Sequence, residues 1–302
     1  MSDIAVIILT HNEAHHIARA LESLRPVAKE VFVIDSGSTD GTAEIAREMG
    51  AVVLTNPWVN YAAQFQWGLD NAPVTADWIM RWDADEVMEP ELAQNLLKVM
   101  PGLEPDVTGL KMHRRHIFMG RFIRHGGRYP LTLLRIWRKG VGRIENRWMD
   151  EHIVLSHGRT LVVEGDFSDI NLGDLGFFTD KHNKYATREA VDVLNQRYDL
   201  FGRDEAFEDQ ETDQAKRKRG LKENFYNRLP FGVGPIGYFL YRYIFQLGFL
   251  DGKEGAIYHG LQGLWYRFLV DAKVLEFDRV LKPLPTREAR LETLKALTGL
   301  KL

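Results

Sequence analysis

At 302 residues, with no cysteine and a formal net charge of −3, the chain excludes disulfides, thiolate chemistry and cysteine-bound zinc, and it offers no basic domain for nucleic acid. Apolar residues at 45% and charged residues at 27% are ordinary for a soluble globular protein, and the length suits one large or two small domains. The lack of cysteine fits a reducing cytoplasm, and Met1-Ser2-Asp3 followed by the apolar run 4–9 lacks the basic and long apolar regions of a signal peptide.

That run predicts a first strand ending in Thr10-His11-Asn12-Glu13, after which Ile17, Leu21 and Leu24 recur at helical spacing. Val31-Phe32-Val33-Ile34 repeats the pattern and ends in Asp35-Ser36-Gly37-Ser38-Thr39-Asp40-Gly41-Thr42, with Asp40 or Ser38 as the cap of a helix that stops at Gly50. A third strand over 51–55, a helix capped by Asn60 and running to about Leu69, and a fourth strand over 77–82 complete the rhythm. Strands alternating with helices predict a parallel, doubly wound sheet, which binds ligands beyond the carboxyl ends of its strands.

The fourth strand ends in Asp83-Ala84-Asp85-Glu86, and acids two apart at a strand end can aim at one hard cation, Mg²⁺ or Mn²⁺; the other reading is an acidic turn before the helix opened by Glu89-Pro90-Glu91. Asp35 and Glu13 suit a base N–H and ribose hydroxyls, and a metal at Asp85 would neutralise a diphosphate. Neither a G-x-G-x-x-G turn nor a P-loop motif is present, which leaves a metal-bridged diphosphate as the way to hold a nucleotide.

Ile-Leu-Thr-His-Asn-Glu at 8–13, Asp-Ser-Gly-Ser-Thr-Asp-Gly-Thr at 35–42 and Asp-Ala-Asp-Glu at 83–86, in that order, closely resemble family 2 glycosyltransferases of the GT-A fold. The bacterial subgroup that builds lipopolysaccharide core, capsule or exopolysaccharide is the most similar. The resemblance implies an α/β fold with a mixed, mainly parallel Rossmann-like sheet flanked by helices. It implies nucleotide contacts from Thr10, Asn12, Glu13, Asp35, Ser36, Gly37, Asp83 and Ala84. Asp85 and Asp83 would be the metal residues, with Mg²⁺ or Mn²⁺ as cofactor and no redox or organic cofactor.

Beyond a helix over 90–100, stretches 108–114, 116–121, 131–138 and 161–163 read as strands with no helices between them, so antiparallel pairing and an acceptor half over 101–200 are expected after a nucleotide half over 1–100. Relatives share the Gly126-Gly127-x-x-Pro130 turn followed by an Arg, so Arg135 either helps to hold an anionic group or is a surface guanidinium. Inverting transfer needs a carboxylate to take the acceptor's proton, and Asp150-Glu151 matches the relatives' acidic pair, with Glu151 as base and Asp150 as its neighbour. Asp169 stands where many relatives carry a His, which puts a third metal ligand in doubt. Lys181 and His182, at the start of a helix running to about Tyr198, are either diphosphate contacts or an exposed helix start.

A polar stretch, 201–220, ends in Lys216-Arg217-Lys218-Arg219 and precedes an apolar, aromatic run from 229 to 250, whose glycines and prolines leave too short a helix for a membrane span. A basic cluster beside such a helix predicts membrane association through Lys216, Arg217, Lys218, Arg219, Phe239, Tyr243 and Phe245; the alternative is a core helix. The expected domains are therefore 1–200, the transferase, and 201–302, a helical membrane-proximal extension. The function implied is transfer of a hexose from a nucleotide diphosphate, UDP by resemblance, to a lipid-linked saccharide at the cytoplasmic face of the membrane. Polyprenyl-phosphate glycosylation and a catalytically inactive membrane scaffold are the competing readings. A processive synthase fits less well, because Ile144-Glu145-Asn146-Arg147-Trp148 lacks the Gln of a Gln-x-x-Arg-Trp motif.

Overall fold

The computed structural model describes residues 3–145, 152–201, 230–300 and 302. They fall into two compact units, one comprising 3–124, 128–145 and 152–172, the other 125–127, 173–201 and the described residues beyond 229.

The first unit is built on β1 (Ile4–Thr10), whose residues Ile4 to Ile8 are fully buried. Alternate side chains of a strand point to opposite faces. Ile4, Val6 and Ile8 accordingly meet α1 (Ile17–Leu24) and α4 (Pro90–Val99) through Ile17, Leu21, Leu24, Leu92 and Leu96, while Ala5 and Ile7 meet α3 (Tyr61–Asn71) through Ala62 and Phe65. On either side of β1 run β2 (Ala28–Asp35) and β4 (Trp78–Asp83), both parallel to it, and β3 (Val52–Thr55) continues the parallel set beyond β2. The helix α2 (Thr42–Glu48) links β2 to β3. Register places Thr10 beside Asp35 and Leu9 beside Asp83, so the polar turns share one rim.

The remaining strands are β5 (Glu86–Met88), β6 (Val107–Phe118), β7 (Arg121–Phe122), β8 (Leu131–Arg138), β9 (Gly142–Ile144), β10 (Ile153–Leu155) and β11 (Arg159–Ile170). The sheet order is β3-β2-β1-β4-β8-β6-β11-β5, with β8 antiparallel to both its neighbours, β11 parallel to β6, and β5 antiparallel to β11. The mixed, mainly parallel sheet flanked by helices is the architecture expected. Two strands differ from expectation. Residues 116–118 continue β6, because the chain first turns at Met119-Gly120, both with positive φ. The short strand expected at 161–163 extends to Ile170 across a bulge, a register shift between Val162 and Asp166 centred on Gly165 at φ +100°.

The second unit holds α5 (Leu175–Tyr198), α6 (Val233–Leu240), a π-turn over Tyr241–Phe245, a 3₁₀ turn over Gly248–Asp251, α7 (Gly252–Tyr258), a π-turn over His259–Trp265, α8 (Tyr266–Leu281) and α9 (Arg287–Thr298). Ala190, Val191 and Leu194 of α5 pack with Phe277, Leu281 and Leu294. This shared core is why α5 groups with the C-terminal helices and the division falls after Leu172 rather than near 200. Among the described residues no helix is long and apolar enough to cross a membrane.

The bulge at Gly165 makes a specific demand. A Cβ there would lie 2.8 Å from the Cα and N of Leu92 in α4, and the φ itself disfavours any L side chain. Gly165→Ala is expected to cost about 1–3 kcal/mol, read from the midpoint of urea unfolding. An unchanged midpoint would mean that α4 yields freely.

Candidate functional site

At the end of β2 the buried Asp35 carboxylate accepts hydrogen bonds from the Thr10 hydroxyl at 2.9 Å, the Ser38 hydroxyl at 2.5 Å and the backbone N–H groups of Gly37 and Ser38, each at 2.9 Å. Burial pushes its pKa upward, yet these bonds from Ser38, Thr10 and Gly37 outweigh burial and hold the carboxyl below its ordinary range. A carboxylate offers about four lone-pair sites, so a base N–H reaching Asp35 replaces one of these donors.

The turn after β1 is laced to the turn after β2. The Asn12 N–H donates to Ser38 Oγ at 2.8 Å, Thr39 N–H to Asn12 Oδ1 at 2.9 Å, Glu13 N–H to Thr42 Oγ1 at 2.8 Å and Ala14 N–H to Asp40 Oδ2 at 3.0 Å. Asp40 also accepts from Thr42 N–H at 3.1 Å, so it braces the start of α2 and the neighbouring turn together. Ser36 accepts from Gln64 Nε2 at 3.2 Å. Glu13 takes the Nδ1–H of His16 at 2.6 Å, and His16 Nε2 accepts the N–H of Leu172 at 2.9 Å, which assigns the proton to Nδ1. Nothing in the sequence singled out His16 beyond its place at the start of a helix.

The acids at the end of β4 have separate surroundings. Asp83 Oδ1 accepts from Tyr61 Oη at 2.7 Å, Tyr61 Oη accepts from Arg81 Nε at 2.9 Å, and Asp83 Oδ2 lies 3.5 Å from Arg135. Burial raises the Asp83 pKa, but Arg135, Arg81 and Tyr61 pull it net downward, while burial drives the Tyr61 hydroxyl well above its usual value. Glu86 is fully buried, accepts from Arg135 and from the Asp83 N–H, and is pushed up to about 8, chiefly by burial, against the pull of Arg135. Arg135 is thus an internal cation, 3% exposed, and not a surface guanidinium. Tyr61, Glu86 and Arg81 were not predicted as site residues; the charge of Arg81 inside an apolar strand was the signal available.

Asp85 has a different set of neighbours. Asn171 Nδ2 donates to Asp85 Oδ2 at 3.1 Å, Ile170 N–H donates to the Asp85 carbonyl at 2.9 Å, and Arg19 NH2 holds the Ile170 carbonyl at 2.7 Å. Asp169, one residue before Ile170, is engaged by His116 Nδ1 at 3.2 Å and Arg114 at 3.5 Å. Among the described residues no group of three or more His, Asp or Glu side chains is placed to hold a metal. A half-buried Asp85 with a neutral amide on one oxygen does fit Mg²⁺ or Mn²⁺ bound through one carboxylate, waters and substrate phosphates.

The remaining expected contact residues that are described belong to the second unit. In the second unit His182 stacks on Phe178 at 3.9 Å and meets Tyr185 and Tyr266 edge-on, and Lys181 lies over the rings of Phe177 and Tyr185. Phe239 and Tyr243 stack on each other at 5.3 Å and are half-buried, whereas Phe245 is 76% exposed. Asp150, Glu151, Lys216, Arg217, Lys218 and Arg219 lie outside the described residues.

Comparison with known proteins gives a consistent result. The model of the family described as glycosyl transferase family 2 matches residues 5–161. A lipopolysaccharide core biosynthesis glycosyltransferase of Rhizobium meliloti, LpsC, is 28% identical over 287 residues, covering 90% of this chain and 92% of that protein. An uncharacterized glycosyltransferase of Rickettsia felis is 41% identical over 96 residues, so the match spans 33% of that protein's length. Among solved structures, glucosyl-3-phosphoglycerate synthase of Mycobacterium tuberculosis, in complex with Mn²⁺, uridine diphosphate and glucosyl-3-phosphoglycerate, is 24% identical over 37% of this chain and 44% of that one, at a TM-score of 0.32. That likeness is too partial to bear on function.

The Asp35 bonds have a pH consequence. Because the folded pKa is depressed, the stabilisation is complete above the unfolded value of about 3.9 and is lost as pH falls through the folded value. Urea midpoints measured at successive pH values between about 5 and 2 should therefore fall more steeply for the wild type than for Asp35→Asn. Parallel curves would show that the charge on Asp35 contributes nothing.

Proposed function

The chain belongs to glycosyl transferase family 2, and we propose that it transfers a hexose, with inversion, from a UDP-sugar to a lipid-linked saccharide during assembly of lipopolysaccharide core or a related envelope polysaccharide. The observation that carries this reading is the division of labour at one rim: Thr10 and Asp35 brace the turns after β1 and β2, Asp83 is balanced by Tyr61 and Arg135, and Asp85 is held by Asn171. The similarity to LpsC along most of both chains supports the envelope-polysaccharide acceptor.

In this reading the turns at 10–13 and 35–37 receive the nucleoside, with Ala84 at the strand end beside it. Asp83, already hydrogen-bonded to Tyr61, presents its remaining acceptor capacity to the ribose. Asp85 would hold Mg²⁺ or Mn²⁺, and that ion would supply positive charge to the leaving diphosphate. Asn171 keeps the Asp85 carboxylate oriented, as partners of metal ligands commonly do. Glu151 takes the proton from the attacking hydroxyl, and Asp150 orients it.

A lipid-borne acceptor brings the protein to a membrane surface. Residues 230–250 contain one charged side chain, Arg242, and it is buried. Val233, Ile236, Leu240, Ile244 and Leu247 recur at helical spacing and are 41–54% exposed, with Phe245 at 76% beside them. Such an uncharged stripe, following Lys216 to Arg219 in the sequence, suits the interface of the cytoplasmic leaflet. The aromatic contact to lipid falls to Phe245 and this stripe, because Phe239 and Tyr243 stack on each other.

Asp85→Ala is expected to abolish both transfer and Mn²⁺-dependent binding of UDP, and Asn171→Ala to weaken that binding by about 10- to 100-fold, both measured by calorimetry with and without Mn²⁺. Unchanged UDP affinity of Asp85→Ala in Mn²⁺ would sink the metal assignment. For the base, Glu151→Gln should leave UDP binding intact while lowering transfer by a factor on the order of 10² to 10⁴. If Asp150→Asn proves the more damaging, the two roles exchange.

A further inference from the structure

At the end of β11 the chain passes through Ile170, Asn171 and Leu172 with little apolar burial to hold it: the Leu172 side chain is 56% exposed, and Ile170 and Asn171 are half-buried. What fixes these residues is hydrogen bonding on two sides. Toward Asp85, the Ile170 N–H donates to the backbone carbonyl at 2.9 Å and Asn171 Nδ2 donates to the carboxylate at 3.1 Å. Toward α1, the Ile170 carbonyl accepts from Arg19 at 2.7 Å and the Leu172 N–H donates to His16 Nε2 at 2.9 Å. The three residues therefore link the start of α1 to the turn that carries Asp85.

His16 is the member of this link whose second contact leads further. Its ring is buried and works in both senses at once, Nε2 accepting from Leu172 while Nδ1–H donates to Glu13 Oε2 at 2.6 Å. Glu13 is in turn tied through its backbone N–H to Thr42 Oγ1 at 2.8 Å. Its side chain is 29% exposed, and its other carboxylate oxygen has no hydrogen-bond partner among the described residues. One imidazole thus joins an acid of the turn after β1, with an oxygen to spare, to the segment that orients the acid at the end of β4. A nucleoside diphosphate needs receptors for its ribose and for its metal-bridged phosphates at a fixed separation, and a rigid ring satisfied at both nitrogens holds that separation where two polar turns alone would drift.

We propose that His16 is a positioning residue that sets the separation between the nucleoside turn at Glu13 and the metal-binding acid Asp85, and so matches the site to a donor in which a nucleoside and a diphosphate are joined. The buried ring acts through Glu13 at one nitrogen and through Leu172 and Asn171 at the other. The inference deepens the proposed function, and it rests on that reading for the roles of Glu13 and Asp85.

The two contacts of the ring are separable by substitution. In His16→Gln the amide takes the place of Nε2, so it can accept from Leu172 but leaves Glu13 without its donor. In His16→Asn the amide takes the place of Nδ1, so it can donate to Glu13 but stops short of Leu172. Calorimetry on the full-length protein reads two quantities: the affinity for uridine without metal, and the factor by which Mn²⁺ tightens the binding of UDP. For His16→Gln, uridine affinity should fall about 10-fold, as for one lost hydrogen bond to a charged group, with the Mn²⁺ factor retained. For His16→Asn, uridine affinity should be retained and the Mn²⁺ factor should shrink about 10-fold, the lower end for a group that orients a metal ligand. A ring that serves only packing would move the melting temperature and both quantities together in both variants; that outcome, or no change in either variant, overturns the proposal. A wild type that binds no uridine, or whose UDP affinity Mn²⁺ leaves unchanged, overturns the nucleotide-diphosphate reading itself and this role with it.

Discussion

A strand buried on both faces cannot carry polar side chains along its length, and β1 imposes that constraint on the whole first unit. With Ile4 to Ile8 sealed between helices, the first polar side chain available is Thr10, at the end of the strand. Parallel register brings Asp35, beside Thr10, and Asp83, beside Leu9, to the same rim, although β4 still carries Arg81 within its length. The polar ends of these strands therefore gather at that rim, where open parallel sheets present their ligand sites.

Within that rim, carboxylates of the same type are separated by what surrounds them. Asp35 is saturated by hydroxyl and amide donors and is ionised for structural reasons. Asp83 owes its depressed pKa to guanidinium charge and a tyrosine, and Glu86, three residues on but fully buried, is driven the opposite way. Asp85 meets the amide of Asn171, with the charge of Arg19 close by. Four acids within one rim thus meet four different sets of donors and charges.

Most of the architecture was legible because apolar runs and terminal polar turns alternate cleanly through residue 88. The four parallel strands and three of the acids follow from that pattern alone. Legibility fails where a partner is distant in sequence. Asn171 reaches Asp85 only because β11 pairs with β5, and β11 was hidden by the glycine bulge at 165 that breaks its alternation. Arg135 read equally as an anion-binding group or a surface guanidinium, since a single guanidinium does not reveal that Glu86, 49 positions earlier, will bury it as an ion-pair partner. The aromatic residues of the C-terminal run were equally ambiguous: Phe239 and Phe245 look alike in sequence, yet Phe239 is half-buried against Tyr243 and Phe245 is 76% exposed.

The helical unit shows the same logic with the signs exchanged. An apolar segment that buries Arg242 and Asp251 incurs a desolvation cost of several kcal/mol per ion unless their hydrogen-bonding groups are met. The His125–Gly127 turn supplies much of what they need: a carbonyl for Arg242, and a backbone N–H and a ring N–H for Asp251. The dependence runs both ways, because two consecutive left-handed glycines have no regular hydrogen-bonding pattern of their own and rely on those groups to fix them. Residues separated by 116 and 126 positions therefore specify one another. The Gly126 N–H completes the exchange by donating to the Gln246 carbonyl, so Asp251, Gln246 and Arg242 together hold the turn.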